Sequence, residues 1–420
     1  MRNPTFDRDL GLAELQGLYG PFTFPELLLQ KLWWRSEYAS EQAHTADGRP
    51  IKVIAPGRWN RLGGPDFKDA VIELEGVRLR GAVEVHLRAE DWDAHRHRED
   101  PAYDGVMLHV VLFPPLDAFT RAAGDRLIPI LPLLPLLWHD LEEYAADEAV
   151  AGLMNRAEHR IAAELAPLPL ADLHAMLEPF GQRRWTSKVH YASKRIERLG
   201  WVGACHQTAL EVLGYRANRA VMLRVASAHP LETWSDDMFN VDHVWESFRG
   251  SWTVQGVRPA NQPRQRLRQY LRWVRARPNW PEDLTEWGRQ ANDIGAPGTL
   301  WAGGAERRRM RFAVKWANAL QLLTAGEVAR PRADHLLGDA FLPLLAAKRA
   351  LTSDSAFTWW WLGYPGDLPD SIRRAMTQLG IVGGHARPTL LGAAQALLGW
   401  LFERDLQVAR DAAAGSRQGA

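Results

Sequence analysis

The chain has 420 residues, 46% hydrophobic and 24% charged, a composition that supports buried cores and excludes wholesale disorder. Its length fits two or three domains. The formal net charge is only +1, so any contact with nucleic acid has to come from a local basic surface. Cys205 is the single cysteine, which rules out an internal disulfide or a cysteine zinc cluster. The N-terminus carries no compact apolar secretion segment, and a cytoplasmic location is the expectation.

Residues 23–36 read as an amphipathic helix after a short leader, with Pro25 in its first turn and Leu27, Leu28, Leu32 and Trp33 on the buried side. Residues 51–55 predict a short strand. Gly57, Gly63, Gly64 and Pro65 break the chain before a second strand at 70–74. Glu75 and Gly76 then turn the chain into a long strand at 77–87, with Gly81 as a site for a bulge. After a polar connection, residues 106–113 predict a buried strand stopped by Pro114 and Pro115. These elements make a domain of residues 1–118.

Residues 119–138 read as a proline-rich connection. Its apolar stretch, 127–138, is cut by Pro129, Pro132 and Pro135 and is too short to span a bilayer, so no transmembrane segment is expected. Residues 139–408 read as mostly helical, with helices around 139–165, 182–199, 203–226, 264–276, 305–323 and 388–407. Residues 409–420 read as a flexible tail.

The strongest chemical signal is GGPDFKDAVIELEGVRLRGAVEVHL, Gly63 to Leu87. The period of two along a strand points Glu84 and His86 to one face. If the hairpin brings Asp66 to that face, Asp66 and Glu84 can hold a divalent cation with help from the Val85 carbonyl. Oxygen ligands suit Mg2+ or Mn2+. A phosphodiester repels an attacking hydroxide unless a cation offsets its charge, and paired carboxylates holding an ion meet that need. Glu26, on the first helix, can add a third carboxylate or orient water.

These residues resemble the PD-(D/E)xK nuclease superfamily across roughly residues 22–115. Pro65-Asp66 resembles its first acidic motif and Glu84-Val85-His86 its second. The preceding helix, the paired strands and the later strand resemble its α/β core. The resemblance implies a restriction-endonuclease-like α/β core followed by a mostly helical region. It makes Asp66 and Glu84 metal ligands and Val85 a carbonyl ligand, with His86 at the usual position of a lysine. Neutral histidine can instead bind metal or accept a proton, and Lys68 is the nearby candidate for the missing charge. The implied function is divalent-metal-dependent phosphodiester hydrolysis of nucleic acid, DNA expected and RNA possible. The alternative is an inactive nuclease-like module for nucleic-acid binding or protein assembly. Longer strings, among them CHQTALEVLGYRANR (205–219) and VRPANQPRQRL (257–267), resemble a large uncharacterised bacterial family that brings no established substrate.

His95 and His97 can position phosphate, tune a metal-bound water or complete a transition-metal site, although loop hydrogen bonding is the more ordinary role. His109, inside an apolar strand, fits a buried hydrogen-bonding role. Arg258, Arg264, Arg266, Arg268 and Arg272, continued by Arg275 and Arg277, are candidates for phosphate contact, against an ordinary solvated basic face. Gln182, Arg183, Arg184, Lys188, Lys194 and Arg195 form another possible basic face. Adjacent Cys205 and His206 point in different directions on a helix, so Cys205 is read as a core residue. No phosphate-binding loop or dinucleotide motif occurs.

Overall fold

The computed structural model describes residues 5–7, 12–17, 20–145, 148, 161–255, 257, 259–301, 303–368, 370–383 and 387–418. The chain divides into two compact units, Met1–Glu148 and Ala149–Ala420.

The first unit opens with an antiparallel meander where a leader was expected: β1 (Thr5–Asp7), β2 (Leu12–Gly17) and β3 (Gly20–Pro25). Helix α1 (Glu26–Arg35) follows directly. Pro25 caps it from an extended conformation (φ −78°, ψ 148°) rather than sitting in the first turn, so the helix begins three residues later than expected. Its buried stripe is Leu28, Leu29, Leu32 and Trp33; Leu27 faces solvent instead. Ser36, in the left-handed region, closes the helix and donates its N–H to the Trp33 carbonyl.

The main sheet comprises β4 (Ile51–Ala55), β5 (Arg58–Trp59), β6 (Phe67–Leu74), β7 (Val77–His86), β8 (Val106–Val111), β9 (Phe119–Arg121) and β10 (Leu127–Pro132). Its order is β4-β6-β7-β8-β10-β9, with β5 also on β6. The β4/β6, β6/β7 and β10/β9 pairs are antiparallel, while β7/β8 and β8/β10 are parallel. Glu75 (φ 50°) and Gly76 (φ 82°) form the two-residue turn between β6 and β7, both in the positive-φ region that suits strand twist. The irregularity expected at Gly81 lies on the opposite strand. Phe67 pairs with Val83 and Ala70 with Gly81, which leaves Lys68 and Asp69 bulged and Asp69 at φ 60°. A parallel pair needs a crossover, and α2 (Asp91–Ala94) with two short 3-10 turns supplies it between β7 and β8.

The segment expected to be a proline-rich connection is part of this sheet. β10 pairs with β9 over Leu127, Ile128 and Pro129, and with β8 over Ile130, Leu131 and Pro132. Each ladder is short and ends on a proline, where a missing N–H costs least. Alternation along β7 sorts its side chains. Val83 and Val85 join the core under α1, with Leu108, Val110 and Leu131. Ala82 joins a smaller cluster with Trp92, Val106 and Ile128 on the other face, the face that Glu84 and His86 share by period two.

The second unit is helical. Leu170–Leu213 is interrupted at Gly200 (φ 70°, ψ 175°) and is followed by Tyr215–Ala228, covering the helices expected at 182–199 and 203–226. Pro263–Ala276 matches the helix expected at 264–276, whereas the one expected at 305–323 is two helices, Gly303–Arg309 and Phe312–Thr324, broken at Arg311 (φ 51°). Of the helix expected at 139–165, residues 141–145 and a π-helical turn at Ile161–Leu165 are described; 146–147 and 149–160 lie outside the described residues. The last helix is Leu391–Gln418, so the segment expected as a tail from 409 continues it through Gln418, in keeping with its alanine-rich sequence. Tryptophans fill the core: Trp234, Trp273, Trp280, Trp316, Trp360 and Trp361 are fully buried. Cys205 is a free, buried core residue. Among the described residues no helix is long and apolar enough to cross a membrane.

Candidate metal and acid–base site

Asp66 precedes the first residue of β6, and Glu84 and His86 lie near the end of β7, so the hairpin brings them together. The Asp66 N–H donates to Glu84 Oε2 (2.9 Å), and the Val85 N–H donates to Asp66 Oδ2 (3.1 Å). The N–H and C=O of one strand residue point to the same edge, so the Val85 carbonyl faces the Asp66 side. Helix α1 delivers two more groups one turn apart. Gln30 Nε2 donates to Asp66 Oδ1 (2.8 Å), and Glu26 lies within electrostatic reach of Asp66, Glu84 and Asp91. Sequence reasoning missed Gln30. Its signal was the four-residue spacing from Glu26, which puts both on one helix face.

Burial sets the protonation of these carboxyls. Glu26 is pushed up to about 8, first by burial and then by the charges of Asp66, Glu84 and Asp91. Burial also raises Asp66, and the neighbouring Glu84 charge adds to it. Glu84, only 5% exposed, is raised by burial despite the hydrogen bond from Asp66. Three carboxyls that cannot all ionise comfortably make a site that a cation would relieve.

The histidines complete the cluster. His86 Nε2 lies 3.1 Å from His95 Nδ1 and 3.3 Å from His97 Nε2. Glu84 Oε1 lies 3.3 Å from His97 Nε2 and 3.5 Å from His86 Nε2. Burial holds His86 well below its ordinary range and lowers His97 to about 4, so both rings are neutral near pH 7 and these contacts with Glu84 are not ion pairs. His86 stands where the resemblance places a lysine, and it supplies no persistent positive charge. Behind it, His86 Nδ1 meets His109 Nε2 (2.9 Å) and His109 Nδ1 meets Thr120 Oγ1 (2.6 Å). His109 is fully buried and takes the hydrogen-bonding role expected of it. Lys68, on the bulge, is exposed and takes part in none of the described hydrogen bonds of the cluster. The loop histidines, read as most simply polar loop groups, instead converge on His86.

The arginines expected to meet phosphate are differently placed. Arg258 lies outside the described residues. Arg266 is a correction: it is 5% exposed and donates to Tyr215 Oη, Asn261 Oδ1 and Gln269 Oε1, so its guanidinium is an internal tie. Arg264 and Arg268 share the carboxylate of Asp242, and Arg272 pairs with Glu327. Arg275 donates to carbonyls at Asp236, Asp237 and Phe239, and Arg277 pairs with Asp283. In the other basic stretch, Arg183 binds Glu403, Lys188 binds Asp339 and Arg195 binds Glu211. His206 is tied to Tyr270 Oη and the His229 carbonyl, which separates it from any chemistry with Cys205.

Fold and site together define a two-unit protein whose N-terminal mixed α/β unit carries a carboxylate–histidine cluster centred on the buried Glu84 and His86. Residues 26–248 match the family described as "Protein of unknown function (DUF2851)", and the chain belongs to that family. No curated protein and no solved structure matches the chain.

Proposed function

We propose that the N-terminal unit is a divalent-metal-dependent phosphodiester hydrolase acting on nucleic acid, with a PD-(D/E)xK-like core and DNA as the expected substrate. The observation that carries this reading is the convergence of Asp66 and Glu84 through the Asp66 N–H and the Val85 N–H. The order helix, antiparallel strands, crossover and parallel strand supports the likeness. The donor set fits Mg2+ or Mn2+: two carboxylates and a backbone carbonyl at one strand edge. When bound, such an ion supplies positive charge against the phosphodiester and lowers the pKa of water.

The residues of the chain divide the remaining work. Asp66 and Glu84 would hold the ion, and Gln30 fixes the Asp66 carboxyl by its hydrogen bond. In its ionised form Glu26, raised to about 8, is a stronger base than an ordinary carboxylate and suits accepting a proton from water. One observation favours the second reading, an inactive module for nucleic-acid binding or protein assembly. His86 is buried and neutral where the resemblance expects a cation.

The test is cleavage of single-stranded, duplex and branched DNA and RNA by the full-length protein with Mg2+ or Mn2+. The expected result is cleavage of at least one substrate, stopped by chelation and lost in folded Glu84→Gln. Binding without turnover across all substrates and ions would replace the hydrolase with the inactive module.

A further inference from the structure

His86, His95 and His97 come from β7 and from the crossover that follows it. Their ligand nitrogens all lie within 4.8 Å of one another. We propose that these three histidines form a binding site for a divalent first-row transition ion of the Zn2+ or Co2+ type, distinct in chemistry from an oxygen-ligated Mg2+ site.

The spacing supports it. A tetrahedral ion with bonds of roughly 2.0–2.1 Å holds its ligands about 3.3–3.4 Å apart. His86 Nε2 stands 3.1 Å from His95 Nδ1 and 3.3 Å from His97 Nε2. His86 Nε2 offers either one proton or one lone pair and cannot make a full hydrogen bond to each neighbour, whereas one ion can engage all three nitrogens.

The surroundings orient the rings in the way a ligating histidine requires. If His109 donates its Nδ1–H to Thr120 Oγ1, its Nε2 accepts the Nδ1–H of His86. That tautomer turns the Nε2 lone pair of His86 toward His95 and His97. Tyr103 stacks on His97 with ring centres 3.8 Å apart, and Trp92 meets the same ring edge-on, which fixes its plane. His95 is exposed, so an ion has access from solvent. Three imidazoles leave a fourth position open, with Glu84 Oε1 3.3 Å and 3.5 Å from two of the three nitrogens. Nitrogen ligands favour zinc, cobalt and nickel, whereas Mg2+ prefers oxygen and retains water. The site shares Glu84 with the proposed hydrolase, but it does not require that reaction.

The experiment strips the full-length protein with a chelator and titrates it with Co2+ in the absence of nucleic acid. Metal per chain and the visible absorption of nitrogen-ligated cobalt are read. We expect one equivalent of Co2+, displaced by Zn2+ and retained in excess Mg2+. His95→Ala, an exposed position, and His97→Ala should each weaken binding by on the order of tenfold or more, since losing even an outer partner of a ligating histidine costs that much. Failure of the wild-type protein to take up cobalt or zinc stoichiometrically would overturn the site. So would unchanged affinity in both folded variants. Because no nucleic acid is present, loss of cleavage and loss of the ion are separate results.

Discussion

Glu26, Asp66 and Glu84 show how a fold can hold carboxyls where joint ionisation is unfavourable. Asp66 is raised from its ordinary 3.8 to about 8 by burial and by Glu84. Between those values the folded protein binds more protons than the unfolded chain, so the group's contribution to stability falls as pH rises from about 4 to about 8. In chelator, the wild-type Tm should therefore drop more steeply than that of Asp66→Asn between about pH 5 and about pH 8. At the upper end the variant should melt higher, by on the order of 5 °C. Parallel Tm curves would show that Asp66 is not held against ionisation. At this scale Asp66, Glu84 and His86 were legible because motif and strand period name them, while Glu26 could be named only on condition that α1 packs across the hairpin. The convergence of His95 and His97 on His86 was not, because it depends on how the crossover folds back over β7.

Elements were legible where periodicity and turn residues agree. The β6–β7 hairpin is such a case: alternation marks both strands and Glu75-Gly76 marks the turn. β10 was hidden by its prolines, which read as breakers, yet each closes a short ladder on one side of the strand. Close helix packing was also hidden, since a glycine in sequence does not reveal its neighbour. A Cβ on Gly392 would stand 2.4 Å from the Trp361 ring, and Trp361 is fully buried with its Nε1 donating to the Leu300 carbonyl. Gly→Ala inside a helix ordinarily gains up to about 1 kcal/mol. Here overpacking, at about 1–3 kcal/mol, should win. Gly392→Ala should therefore lower the denaturant midpoint of the helical unit, read by tryptophan fluorescence. A raised midpoint would mean that the ring moves aside without cost.

On the scale of the whole molecule, the family match runs through residue 248, past the boundary at Glu148, so it takes in sequence from both units. The run of arginines at 258–277 was plain in the sequence, but its carboxylate partners were not. Asp242 and Glu327 lie far along the chain from the arginines they neutralise. Much of the charge that suggested a phosphate-binding face is thus already engaged, and the case for hydrolysis rests on the N-terminal cluster.

That case is tested most directly by comparing wild type with Asp66→Asn on a cleaved substrate in Mg2+ or Mn2+. The substitution removes a charge but keeps the shape. The asparagine carbonyl can accept the Val85 N–H, and its amide can donate to Gln30 after that side chain flips. The account predicts a folded variant whose cleavage falls by on the order of a thousandfold or more, as the loss of charge at the reacting phosphate demands. Cleavage by folded Asp66→Asn at the wild-type rate would contradict it.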